Sequence, residues 1–225
     1  MDKEGIKFFD QNIVRRGEIT DNGIHFFKGT NIPMPSIFEI SNSGMCNRKC
    51  VFCPRSDPNY NHVNEFISQE LHDKIYDELK INDFSGSVIF SGFVEPLLDK
   101  RIYKQIKDIR SKLPKANIEL ITNGDPLNHE RVEKLFDAGL SYLLVSAYDS
   151  EEQAIEFRNL LSKTNVEPSK YIVRNRYYGE EKDFGITISN RAGNMNNTEY
   201  KIEALKEPLK NKCTYPAYTF FIDYN

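Results

Sequence analysis

Apolar positions along this chain change their spacing in a regular way. Short runs rich in β-branched and aromatic residues alternate with stretches in which apolar residues recur every three or four positions. The first run, Ile37-Phe38-Glu39-Ile40-Ser41, leads into a polar loop. After the loop, Leu71, Ile75 and Leu79 mark one face of a helix, with Ser68 a fitting N-cap. Residues 87–91 read as a second strand, and Ile102, Ile106, Ile109 and Leu113 as the stripe of a helix that stops at Pro114. A third strand, 118–122, ends at Asn123-Gly124, and its helix runs from Asn128 through Val132, Leu135 and Phe136 to Gly139. Residues 142–147 form a fourth strand, after which Asp149 or Ser150 caps a helix carrying Ala154, Phe157 and Leu161. A fifth strand, 171–177, and a sixth, 185–189, are joined by a stretch with no room for a long helix. Ahead of all these, Asn22-Gly23 between two extended runs, Ile13 to Thr20 and Ile24 to Lys28, predicts an N-terminal β-hairpin.

Strands separated by helices pair in parallel, because parallel neighbours need a connection of about a dozen residues or more. The expected class is α/β, and six such strands make either a doubly wound sheet or a partial (β/α)6 TIM-like barrel. In both, reacting groups gather at the C-terminal ends of the strands. The expected division is an N-terminal hairpin extension over 1–34, a core over 35–193 and a short C-terminal extension over 194–225.

Charge narrows the partners. Thirty Lys and Arg against 33 Asp and Glu leave a net charge of −3, which offers neither the basic footprint of a nucleic-acid binder nor a polybasic membrane patch. A small-molecule or peptide substrate is therefore expected, with no nucleic acid and no membrane. No apolar run approaches the roughly 18 residues of a spanning helix, and the opening Met1-Asp2-Lys3-Glu4 is too charged for a signal peptide, so the chain reads as cytoplasmic.

Cysteine placement carries the chemistry. Cys46, Cys50 and Cys53 are spaced C-x3-C-x2-C, and Cys213 lies far away. Four readings compete: disulfides, unconnected structural thiols, zinc completed by Cys213 or a histidine, and an iron–sulfur cluster. A chain without secretory features keeps its thiols reduced, and structural zinc usually has a second cysteine pair that is absent here, so the cluster is favoured. A cubane normally takes four thiolates. Three local cysteines leave one iron open, which distinguishes a catalytic centre from an electron carrier. Arg48, Lys49 and Arg55 flank the loop and would favour thiolates and a reduced cluster. His25, His62, His72 and His129 show no ligand spacing and read as surface or helix-cap residues.

The cysteine motif with aromatic Phe52, set after a first strand and followed by Ser91-Gly92-Phe93-Val94-Glu95-Pro96 after the second, resembles the radical SAM superfamily over roughly residues 36–190. That resemblance favours the partial barrel. It implies a [4Fe-4S] cluster on Cys46, Cys50 and Cys53 whose open iron takes S-adenosylmethionine, with reductive cleavage giving a 5′-deoxyadenosyl radical that abstracts hydrogen from substrate. Phe52 would lie by the adenine. The segment from Ser91 to Leu97, with Gly92 and Glu95 as its expected contacts, looks like the family's Gly-Gly-Glu-Pro motif, which meets the methionyl ammonium, although Val94 stands where a second glycine is usual. Asn123 and Ser146 fall where similar enzymes contact the ribose or the methionyl carboxylate. Arg174 and Arg176 share a face of the fifth strand, either the lumen, where Arg174 would suit that carboxylate, or the solvated outside. Asn190-Arg191-Ala192-Gly193 resembles a strand-exit motif of one branch of the family.

Cys213-Thr214-Tyr215-Pro216 resembles the opening of a SPASM or twitch extension, where further cysteines bind auxiliary clusters. The alternating run from Tyr218 to Tyr224 looks like half of an unpaired hairpin, and the expectation is a truncated form, with an auxiliary Fe–S cluster in a longer one. The branch implies peptide modification or dehydrogenation of sugar and aminocyclitol alcohols, and an electron donor such as flavodoxin or ferredoxin. The alternatives are a zinc- or cluster-stabilised binding module and an inactive truncated paralogue.

Overall fold

A computed structural model describes residues 25–50, 52–176 and 218–224. Its centre is a six-stranded, wholly parallel sheet built from β3 (Ile37–Ile40), β4 (Ser87–Phe90), β5 (Asn117–Thr122), β6 (Tyr142–Ala147), β7 (Tyr171–Asn175) and β8 (Thr219–Ile222). Their spatial order is β7-β6-β5-β4-β3-β8. Helices α1 (Gln69–Ile81), α2 (Ile102–Lys112), α3 (His129–Asp137) and α4 (Glu151–Ser162) connect consecutive strands from β3 to β7. This is the α/β partial-barrel architecture that the alternating periods imply.

The helices begin where their caps dictate. Ser68 Oγ accepts from the Leu71 amide at 3.1 Å, Asn128 Oδ1 from Arg131 at 2.8 Å and Ser150 Oγ from Gln153 at 3.3 Å, each satisfying an amide the first turn leaves unpaired. Ser150, rather than Asp149, is the cap of α4.

Register decides which side chains meet. Glu39 lies abreast of Ile89, Glu119 and Phe221, and Ser146 pairs with Arg174. The alternating positions Phe38, Ile40, Val88, Phe90, Ile118, Leu120, Leu143 and Val145 go to the other face and pack against α1 to α4. Burying each such side chain contributes about 1.5–3 kcal/mol. The helix-covered face thus holds the core, and the opposite, polar-rich face is the concave one. Arg174 consequently faces the lumen with Ser146, which resolves the two options its strand left open.

The structure departs from sequence expectation in three places. The run near the C-terminus is not an unpaired half-hairpin: Thr219–Ile222 pairs in parallel with β3 and forms the edge of the sheet. His72 is neither on the surface nor a cap. It is 1% exposed, on the buried stripe of α1 with Tyr76 and Leu79, because that stripe follows residues 72, 76 and 79 and leaves Leu71 and Ile75 at its margin. Near the N-terminus, β1 (His25–Phe26) pairs antiparallel with β2 (Pro33–Met34) around a turn containing Gly29 at φ +73°, so residues expected in the second arm of the Asn22-Gly23 hairpin form the first arm of another. The expected 185–189 strand lies outside the described residues, as do Asn22-Gly23, Arg191 and Cys213; among the described residues the sixth strand of the sheet is β8.

Candidate active site

The polar loops converge at the C-terminal ends of the strands. The loop after β3 supplies Cys46, Cys50, Phe52 and Cys53, the loop after β4 supplies Gly92 and Glu95, Asn123 follows β5, and Arg174 stands on β7; all line one cavity of about 480 Å³. That volume suits a small molecule, for which sites of about 300–1,000 Å³ are usual. Among the expected residues Ser146 alone is set behind the wall, where its hydroxyl accepts from Arg174 Nη2 at 3.2 Å.

The three cysteines are half-buried thiols. Burial pushes Cys46 up and Cys50 up to about 11; at Cys50, repulsion from the neighbouring thiolates adds to the rise and Arg48 opposes it. Cys46 and Cys50 are therefore protonated at neutral pH in the absence of a metal, and any metal that binds them must displace the protons. Among the described residues no three Cys, His, Asp or Glu side chains gather closely enough to share one ion. A cubane does not require that, since each thiolate binds its own iron and the sulfurs need only surround a common space. Three soft donors around a small-molecule cavity fit such a cluster.

Glu95 sits at the floor, 1% exposed. Its carboxylate accepts from the Thr122 hydroxyl at 2.7 Å, the Asn123 amide at 2.8 Å and the Leu97 amide at 3.1 Å, while its own amide donates to the Met45 carbonyl at 2.8 Å. Burial raises its pKa to about 7 against those three hydrogen bonds, so a cation arriving beside it would hold it ionised. The glycine before it is obligatory: Gly92 has φ +110°, and a Cβ there would stand 2.3 Å from Ser41 Oγ. Val94 needs no such freedom. Among the described residues Asp83 is the one non-glycine with positive φ, so a valine is compatible with the backbone where the family pattern has glycine.

Sequence reading missed most of the side chains that hold the cysteine loop. Arg48 is not an open cation beside the thiols. Its guanidinium forks onto Asp125 (2.5 and 2.6 Å) and Asp149 (2.6 and 2.8 Å), which follow β5 and β6. Asn47 donates to Asp125 at 2.7 Å and accepts from Asn123 at 2.8 Å. Arg55, 5% exposed, donates to the carbonyls of Gly44 and Phe93 and lies 3.2 Å from His62 Nδ1. The Phe52 ring packs on Tyr148, centroids 5.1 Å apart. On the lumen side, the Ser91 hydroxyl donates to Glu39, and Phe221 of β8 completes the wall. One signal was available for Asp125 and Asp149: each stands just past the end of a parallel strand.

A family model described as Radical SAM superfamily matches residues 40–175. Over 162 residues the chain is 26% identical to an S-adenosyl-L-methionine-dependent 2-deoxy-scyllo-inosamine dehydrogenase of Niallia circulans, covering 72% of this chain and 61% of that protein. Over 115 residues it is 32% identical to an Fe-coproporphyrin III synthase of Methanosarcina barkeri, covering 51% and 28%. The chain thus spans less than two thirds of either relative. Its fold matches the crystal structure of BtrN in complex with AdoMet and 2-DOIA with a TM-score of 0.67 at 22% identity, over 85% of this chain and 70% of that one.

Proposed function

This chain belongs to the radical SAM superfamily of enzymes, and from that premise we propose that it dehydrogenates a hydroxyl-bearing small molecule of the aminocyclitol or sugar class. The observation that carries the reading is the single cavity shared by Cys46, Cys50, Cys53, Glu95 and Asn123 at the strand ends. Cys46, Cys50 and Cys53 would hold a [4Fe-4S] cluster with one coordination position left for S-adenosylmethionine. When bound and reduced, that pair supplies a 5′-deoxyadenosyl radical able to take a hydrogen atom from substrate.

The protein's part is to bind, orient and neutralise. Glu95, already braced by three donors, meets the methionyl ammonium, a charge-assisted contact in a buried site. Arg174, steadied by Ser146, suits the methionyl carboxylate, and Asn123 the ribose or that carboxylate. Phe52 on Tyr148 offers an aromatic surface to the adenine. Glu39 is the other carboxylate in the cavity wall and would accept the hydroxyl proton of the substrate; hydrogen-atom loss and this proton loss leave one electron on the substrate, for which an oxidised iron–sulfur centre would be the acceptor. A polar substrate fits a lumen that presents Glu39, Ser91 and Arg174, and the dehydrogenase named among the relatives supports oxidation over peptide modification. Flavodoxin or ferredoxin would deliver the electron. The Cys213-Thr214-Tyr215-Pro216 pattern supports a twitch-type extension as the finer placement.

The test is anaerobic reconstitution with iron and sulfide, reduction in the presence of S-adenosylmethionine, and incubation with a panel of aminocyclitols and sugar alcohols. A ketone product formed in proportion to 5′-deoxyadenosine supports the reading. Modification of a peptide, with every alcohol untouched, overturns the substrate class.

A further inference from the structure

The loop that carries the cysteines has little regular structure of its own. Among the described residues between Ile40 and Gln69 the one helical segment is the short turn Pro54–Ser56; the backbone ahead of the cysteines is tied where Met45 accepts from the Glu95 amide, and from Cys46 onward the backbone bonds are local ones, from Cys53 to Cys50 and from Ser56 to Cys53. What ties the stretch between Cys46 and Cys50 to the rest of the molecule is side-chain contact, chiefly through Arg48. The loop leaves β3, passes β4 and reaches the ends of β5 and β6, two and three strands across the sheet. There the guanidinium uses four N–H···O contacts, two to Asp125 and two to Asp149, with a side chain only 17% exposed. Each partner is itself held: Asp125 by its amide on Asn123 Oδ1 at 3.0 Å, and Asp149 by Gln153 Nε2 at 2.7 Å. Asn123 also lines the cavity and reaches back to Asn47.

We propose that Arg48 is a positioning residue, a double-fork clamp that fixes the Cys46–Cys50 loop against the β5 and β6 ends so that the cysteines and the S-adenosylmethionine wall are held in one register. The idea rests on the proposed cluster and S-adenosylmethionine site. Two bidentate forks suit arginine and cannot be reproduced by lysine, whose single ammonium is a point charge. The Arg48 guanidinium, at the wall of the same cavity, makes its hydrogen bonds to Asp125 and Asp149, and the contact of this residue with a thiol is its backbone amide on Cys46 Sγ at 3.5 Å. Losing the clamp should therefore spare the ligands and disturb their placement.

The experiment compares the parent protein with R48K, R48M and the triple variant R48M/D125N/D149N, which removes the orphaned carboxylates and serves if R48M alone does not fold. In metal-free protein, amide hydrogen exchange of residues 46–53 should quicken by about tenfold or more in all three variants while the β4–β6 core is unchanged. After reconstitution, iron per chain should stay near the parent value, whereas the KM for S-adenosylmethionine rises roughly ten- to a hundredfold, with R48K giving no rescue. Unchanged exchange in the loop, an unchanged KM, full rescue by R48K, or loss of iron in the triple variant each overturns the clamp. Failure of the parent to load iron or cleave S-adenosylmethionine overturns the site reading instead, and the metal-free exchange still judges the clamp by itself.

Discussion

His72 is buried in the α1 interface with its ring edge-on to Tyr76, centroids 4.5 Å apart, and among the described residues neither ring nitrogen has a hydrogen-bond partner. Burial lowers its pKa from 6.5 to about 4, outweighing the opposite pull of Asp73 and Asp108, which Lys104 and Arg101 partly cancel. The folded state therefore keeps the ring neutral where the unfolded chain protonates it. Stability from this group is fully present above pH 6.5 and is lost as pH falls from there toward 4, because the unfolded state binds the extra proton across that window. The full loss is bounded at about 3 kcal/mol, and between pH 7 and pH 5 it amounts to about 2 kcal/mol. Urea unfolding of the parent and H72F at both pH values isolates the term, since every other titrating group contributes to both proteins. The parent should lose about 2 kcal/mol more than H72F on going to pH 5. Equal losses in the two proteins would refute the buried, neutral histidine.

Gly124 has φ +83°, and a Cβ there would stand 2.4 Å from the Phe157 ring and 2.8 Å from Val145 Cγ1. Gly124→Ala should cost roughly 2–4 kcal/mol in denaturant melts, the sum of left-handed strain and overpacking. Glu95→Gln removes the charge facing the methionyl ammonium, so iron content should hold while the KM for S-adenosylmethionine rises roughly ten- to a hundredfold, the equivalent of one charge-assisted hydrogen bond. Glu39→Gln should lower the ketone formed per 5′-deoxyadenosine by about a hundredfold, the scale of a lost general base, and an unchanged ratio would remove Glu39 from the reaction.

Local signals were readable from the chain because their causes are local. Ser68, Asn128 and Ser150 cap the helices their positions suggest, and the apolar runs from Ile37 to Ala147 become β3 to β6 within a residue at each end. What stayed hidden depends on residues far apart in sequence. Arg48 finds Asp125 and Asp149 across separations of 77 and 101 residues, and no spacing rule links them. The tail strand Thr219–Ile222 joins β3 across an even longer stretch, where alternation alone gives no partner. Arg174 was ambiguous because period two fixes which residues share a face without saying which face is the lumen; its register with Ser146 supplies that answer. His72 was misread for a related reason, since the helix phase was set by Leu71 and Ile75 at the margin of the stripe that is buried.

The central claim is that Cys46, Cys50 and Cys53 form one cluster-binding, S-adenosylmethionine-cleaving site. The most direct measurement is the yield of 5′-deoxyadenosine and methionine from S-adenosylmethionine after anaerobic reconstitution and reduction, made in parallel with iron analysis on the parent and on C50A. The account expects about four irons per chain and equal amounts of the two products from the parent, with cluster and cleavage both abolished in C50A. Zinc uptake without cleavage by the parent, or cleavage that survives in C50A, would contradict it.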